Sequence, residues 1–435
     1  MILRIAWMLA RPSATGVATV ALPLVAFATV TALLLTVIGG AQTFFSWSDG
    51  DAIIYQASAV IALVLLVVPL TSLGAAASRL SARRRDDRLA TLRLLGASPA
   101  TVAAITVLES VAVALAGAVV GVGVYLAAAP LIGLIPFRGE ALGAGVLLPP
   151  LAVLAVLGGV ALLAAASAVL GLRRVIISPL GVRLRQDTPR PHWIRVVVAI
   201  AVIVATNVVM GIIGALEVLV ILNVLAVGFG GTLLVLGLIG PWVLRMVARR
   251  QAKRAATPER LLAARSILES PKAAWAQVGG VAMTSFMAVF AGSAVGLLEA
   301  LGEDGENPFL YGDIRTGVII TVVASFLMVA CSVGVNQAAS ILDRADLYSS
   351  LARLGMPVGT MESARRRAVM SPLRITSIGS AVVAAVVVFP LTGAAILFAP
   401  LSLVMIALVL AAGIALVWFG LLATRPVLER AAILP

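Results

Sequence analysis

The stretch IIYQASAVIALVLLVVPLTSLGAAASRLSARRRDDRLATLRLLGASPATV, residues 53–102, decides the fold. Residues 53–77 contain no charged side chain, and a helix of about 20 apolar residues is what roughly 30 Å of hydrocarbon requires. Residues 78–102 then turn abruptly polar: Arg83, Arg84, Arg85, Asp86, Asp87 and Arg88 form a charged run, while Leu80, Leu89, Leu92 and Leu95 recur at roughly helical spacing. That pattern predicts a helix lying along the membrane surface, ended by Gly96 and Pro99 before the chain re-enters the bilayer.

The rest of the chain follows the same design. Of its residues 61% are hydrophobic and 12% charged, and the mean hydropathy is +1.12. Soluble domains are about 45–50% apolar and 25% charged, so the membrane is the solvent and helices must carry the spans. Ten spans are expected, near residues 14–38, 53–77, 102–134, 142–171, 194–215, 218–244, 276–298, 316–340, 371–392 and 396–421. The first is too long for a cleaved signal peptide and is expected to be retained.

A net charge of +13 raises the question of nucleic acid, but the basic residues sit in short loops between spans, where they report orientation instead. With the N-terminus inside, all Lys and Arg except Arg138 and Arg315 fall on the cytoplasmic side, and both termini are then cytoplasmic. The longest outer loop is residues 299–315, too short to build an outer domain. Substrate must be handled within or beside the membrane.

The two halves align at an offset of 259 residues. Pro12 maps to Pro271, and Asp87, Leu92, Leu95, Gly96 and Thr101 map to Asp346, Leu351, Leu354, Gly355 and Thr360. The second copy of the charged helix is SILDRADLYSSLARLGMPVGTM, residues 340–361. The expected architecture is all-α and polytopic: a first four-helix repeat over 1–185, a central hairpin over 186–255 and a second four-helix repeat over 256–435. A lone basic segment most simply obeys topology and touches anionic lipid; two equivalent ones suit docking onto two equivalent subunits. The copies are unequal, because Ala368 stands opposite Glu109 and the Arg365–Arg367 cluster has no counterpart.

The stretch from Arg79 to Tyr125, with ATLRLLGASPATVAAITVLESVAVALAGAVVGVGVYLA as its core, resembles the FtsX-like permease domain of the MacB-type (type VII) ABC transporters. The match runs through Leu92 to Ser98, Glu109, Gly117 and Gly121. The four-plus-two-plus-four order is similar to the ten-span BceB-like permeases, although their large outer domain between spans seven and eight is missing, which argues against peptide-antibiotic sensing. The resemblance implies a permease subunit of a bacterial inner-membrane transporter, worked by two copies of a separate ATPase that holds the ATP and Mg. It implies that residues 79–96 and 341–355 couple to that ATPase, through Arg83, Arg84, Arg85, Asp87, Arg88, Leu92, Leu95, Gly96, Asp346, Leu351, Leu354 and Gly355.

Glu109, Gly117 and Gly121 are assigned to helix packing. The glycines form a GxxxG step that permits close helix approach, and an intramembrane acid is expensive enough to be a functional candidate in its own right. No site for a cofactor, a metal or catalysis is expected in this chain. The two lysines, Lys253 and Lys272, follow Ala252 and Pro271, which excludes the Gly-Lys pair of a P-loop. One histidine, His192, and one cysteine, Cys331, leave no metal cluster and no nucleophile–base pair. The expected function is coupling of ATP hydrolysis to export or extraction of a hydrophobic or amphipathic substrate such as a lipid, drug or antimicrobial peptide, in contact with membrane lipids. The alternative is mechanotransmission to an extracytoplasmic partner. An ion-coupled secondary transporter ranks last, because the spans are almost bare of midplane charge.

Overall fold

A computed structural model describes residues 17–83, 98–176, 218–301, 309–343, 345–398 and 400–423, together with positions 201, 204 and 208. Among these residues the regular structure is helical apart from one two-stranded hairpin. Among the described residues nine helices are long and apolar enough to cross a membrane, so the protein is an all-α polytopic membrane protein. The expected span at 194–215 falls almost entirely outside the described residues.

One compact unit comprises residues 1–186, 328–349 and 420–435. Its helices are α1 (Val17–Phe45), α2 (Ala52–Arg83), α3 (Pro99–Ile132) and α4 (Pro150–Ile176). Helix α3 starts where the sequence provides a cap: Ser98 Oγ accepts the Thr101 amide at 3.2 Å, and Pro99 occupies the first helical position. Helix α1 makes its most extensive contact with α3. Around that seam Phe27, Ala114, Ala118, Val160 and Ala164 form a buried core. The second half of helix α8 (Leu310–Asp343) belongs to this unit, and Ser332 there meets Ser72 of α2, Oγ to Oγ, at 3.2 Å.

The other unit comprises residues 187–327 and 350–419. It contains α5 (Val218–Lys253), α6 (Pro258–Glu269), α7 (Pro271–Leu301), the first half of α8, α10 (Val358–Val387), α11 (Phe389–Phe398) and most of α12 (Pro400–Ala423). Helix α9 (Ala345–Arg353) precedes α10. Here α7 makes its most extensive contact with α10. Phe286 is buried on α7 among Phe229 and Phe290, and Trp275 fills the space over Gly240 of α5.

Helix α10 differs from expectation. The sequence places the span at 371–392, yet the helix begins at Val358 and carries the basic stretch MESARRRAVMSP as continuous helix through Pro372. Pro357 sets the extended residue before the first turn. The Arg365 guanidinium then donates to Glu362 through Nε at 3.0 Å and an Nη at 2.9 Å, an i,i+3 pair that closes one turn.

Positions 259 residues apart take the same packing roles: α3 and α10 start at Pro99 and Val358, and Phe27 and Phe286 are both buried. One exchange changes the chemistry. Ala26 and Ala118 are buried in the first unit, whereas Ser285 and Ser377 in the second share a buried hydrogen bond of 2.8 Å. Replacing either serine by alanine is expected to lower stability by about 1–3 kcal/mol by orphaning the other hydroxyl, while replacing both is expected to recover most of that loss. Thermal unfolding of the two single variants and the double variant in detergent checks this sign reversal.

Candidate functional site: charged helix and glycine turn

The second charged helix is α9. Leu347, Leu351 and Leu354 follow at i, i+4 and i+7, so they form one ridge along the helix. Leu347 is 50% exposed and Leu354 82% exposed. Asp346 lies in the first turn of α9. The helix ends in a Schellman turn: Met356 N–H donates to the Leu351 carbonyl at 3.0 Å and Gly355 N–H to Ala352 at 3.0 Å. Gly355 sits at φ 83°, a left-handed conformation that a side chain strains. Three residues later, at Val358, α10 begins, so α9 is held by a fixed turn at the start of a 30-residue helix.

Of the first charged helix, Arg83 is the last residue of α2. Arg84, Arg85, Asp87, Arg88, Leu92, Leu95 and Gly96 lie outside the described residues. Beyond them the exit is described, through Ser98 and Pro99 into α3. Glu109 is half-buried on α3, between buried Thr106 and Ser110. Gly117 and Gly121 press against α1: a methyl at Gly117 would stand 2.6 Å from the Leu24 carbonyl oxygen, and one at Gly121 would stand 2.5 Å from that of Ala28. On α10 the positions 259 residues later are Thr376 and Ser380, both buried.

Two constellations escaped the sequence reading. Phe137–Arg138–Gly139–Glu140 is a two-residue hairpin in which Arg138 and Gly139 have φ of 57° and 79°, the signature of a type I′ turn. The Arg138 guanidinium donates to Asp49 at 2.7 Å and stacks 4.0 Å from the Trp47 ring centre and 4.6 Å from that of Tyr55. Partial desolvation opposes the charge on Arg138, but hydrogen bonds to Asp49 and Tyr55 outweigh it and raise the guanidinium pKa. The Arg-Gly dipeptide was the available signal. The second is Arg365, whose side chain is only 5% exposed and paired with Glu362, although a run of three arginines suggests a solvated face.

Residues 59–180 match the family model described as FtsX-like permease C-terminal. This region is similar to the C-terminal domain of FtsX-like permeases. It runs from within α2 through the first charged segment, α3, the hairpin and α4, and it supports an ABC permease of the FtsX/MacB type. A comparison with curated proteins gives no match. The matched region contains Arg83 to Gly96, Glu109, Gly117 and Gly121, whereas α9 and Gly355 lie beyond it.

Proposed function

We propose that the chain is the transmembrane subunit of an ABC machine, driven by a separate ATPase that docks on residues 79–96 and on residues 341–355. The observation that carries this reading is α9: an exposed leucine ridge on a polar helix, joined to α10 through the Gly355 turn. An exposed apolar ridge offers a partner surface to bury. A push on α9 is delivered through the short turn to α10 and, through their packing, to α7. The shared helix starts and equivalent buried positions at 259-residue separation support duplication, and with it two docking helices and two ATPase copies, each holding its own ATP and Mg. The excess of basic residues on one side supports a cytoplasmic placement for that side and for both termini, in a bacterial inner membrane.

Lipid-facing helices and short outer loops favour a hydrophobic or amphipathic cargo taken from the bilayer. A second reading, force transmission to an outer partner, is favoured by the ordered Arg138 hairpin with its aromatic neighbours. Vesicles containing the chain and its ATPase separate the two. ATP-dependent loss of a fluorescent lipid or amphipathic dye is the outcome expected for transport, and ATP hydrolysis without efflux would favour transmission.

A further inference from the structure

The link between α5 and α7 is short. One span ends at Lys253 and the next begins at Pro271, and twelve of the intervening residues form α6. Ser270, at φ −146° and ψ 84°, breaks the helix before α7 enters. Helix α6 packs on α5 and α10 and buries Ala263, Ala264 and Ile267.

Its opposite face is neither plainly soluble nor plainly apolar. Leu261 and Leu262 are 42% and 40% exposed, and the exposed Arg265 follows them at i+4 and i+3, on the same side of the helix. A face that alternates leucine with arginine at the boundary suits the level where acyl chains meet headgroups.

The flanking helices bring more positive charge to this corner. The last turn of α5 carries Arg250 and Lys253. On α10, Arg366 and Arg367 are exposed beside the buried Arg365. Glu259, at the start of α6, is held below the usual carboxylate range by the Thr257 hydroxyl and its own backbone amide, with Arg367 and Arg260 adding to the effect. Arg367 stands on α10, one of the two helices on which α6 packs. With Glu362 committed to Arg365, positive charge dominates the exposed surface here.

We propose that the corner formed by α5, α6 and α10 is a binding site for an anionic phospholipid that straddles α6, with Arg260, Arg367 and Lys253 on the side of α6 that packs on α5 and α10 holding the phosphate, and Leu261 and Leu262, with Arg265 beside them on the outward side, lying along the acyl chains. A soluble phosphate would use the arginines alone. The exposed leucine pair and the position between two spans favour the lipid. The site is independent of which partner hydrolyses ATP.

The full-length chain is purified in detergent, and native mass spectrometry follows retention of phosphatidylglycerol against phosphatidylcholine, with inorganic phosphate as competitor. Phosphatidylglycerol is expected to be retained preferentially, and millimolar phosphate is expected not to displace it. Retention should fall about tenfold or more in the Arg260→Gln/Arg367→Gln variant, fall in the Leu261→Ser/Leu262→Ser variant, and return with lysine at both arginine positions. These side chains are exposed, and an unchanged thermal midpoint confirms that the variants fold. Equal retention of both lipids, or unchanged retention in the arginine variant, overturns the proposal. Full displacement by phosphate would mark a soluble-anion site and overturn it too. Loss of ATPase association with lipid retention intact would mark a protein-docking face instead.

Discussion

Leucine at Gly117 and Gly121 together is expected to prevent the protein from accumulating as a monodisperse species in detergent. At both positions the new side chain meets backbone rather than a movable side chain, with the Leu24 and Ala28 carbonyl oxygens 2.6 Å and 2.5 Å from where Cβ must stand. Relief requires moving α1 off α3, and that is the most extensive contact in its unit. Overpacking costs about 1–3 kcal/mol per site even where side chains yield, and domains are stable by only about 5–15 kcal/mol. Gly123 is the control: it lies on the same helix with nothing within 4 Å of a built Cβ, so Gly123→Leu should leave the elution profile and thermal midpoint nearly unchanged. Size-exclusion profiles of the three proteins at matched expression decide the matter.

Aspartate at Leu347 and Leu354 is expected to leave the permease folded and to remove the second ATPase contact. Both side chains are already exposed, so the substitutions empty no core. Fully burying a leucine against a partner contributes about 1.5–3 kcal/mol; losing one such contact weakens binding roughly tenfold to a hundredfold, and a buried aspartate weakens it further. Gly355→Val acts on the same element by another route, because φ of 83° strains a side chain by about 1–3 kcal/mol. It should leave the leucines available yet misdirect them. ATPase stimulation titrated against permease concentration separates the two: aspartate raises the concentration required, whereas valine lowers the maximum.

The spans were legible because composition alone settles them: residues 103–132 form a long apolar window with no competing structure. The glycine turn was legible as well, since Leu-Gly after a polar amphipathic run has few other uses, and Gly355 adopts the left-handed conformation that ends α9. The start of α10 was not. MESARRRAVMSP is polar and ends near a proline, which sets the expected span at 371, yet pairing of Glu362 with Arg365 and the extended Pro357 make those residues helix. The Arg138 hairpin was illegible for a different reason, because its partner Asp49 is 89 residues away and no local pattern joins them. The charge run at 365–367 conceals a buried member, since burial depends on α6 and α7, which pack on α10 from elsewhere in the chain. For the first charged helix, residues 84–97 lie outside the described residues, and its role rests on the sequence and on the family match across 59–180.

The most direct test is the composition of the complex isolated on a tagged chain from its native membrane, measured by intact mass. Two ATPase copies per chain are expected. Arg84→Glu, Arg85→Glu and Arg88→Glu together should reduce this to one, and adding Leu347→Asp and Leu354→Asp should reduce it to none. A chain that carries all five substitutions and still retains its ATPase, or a native chain that brings down none, would contradict docking through the two charged helices.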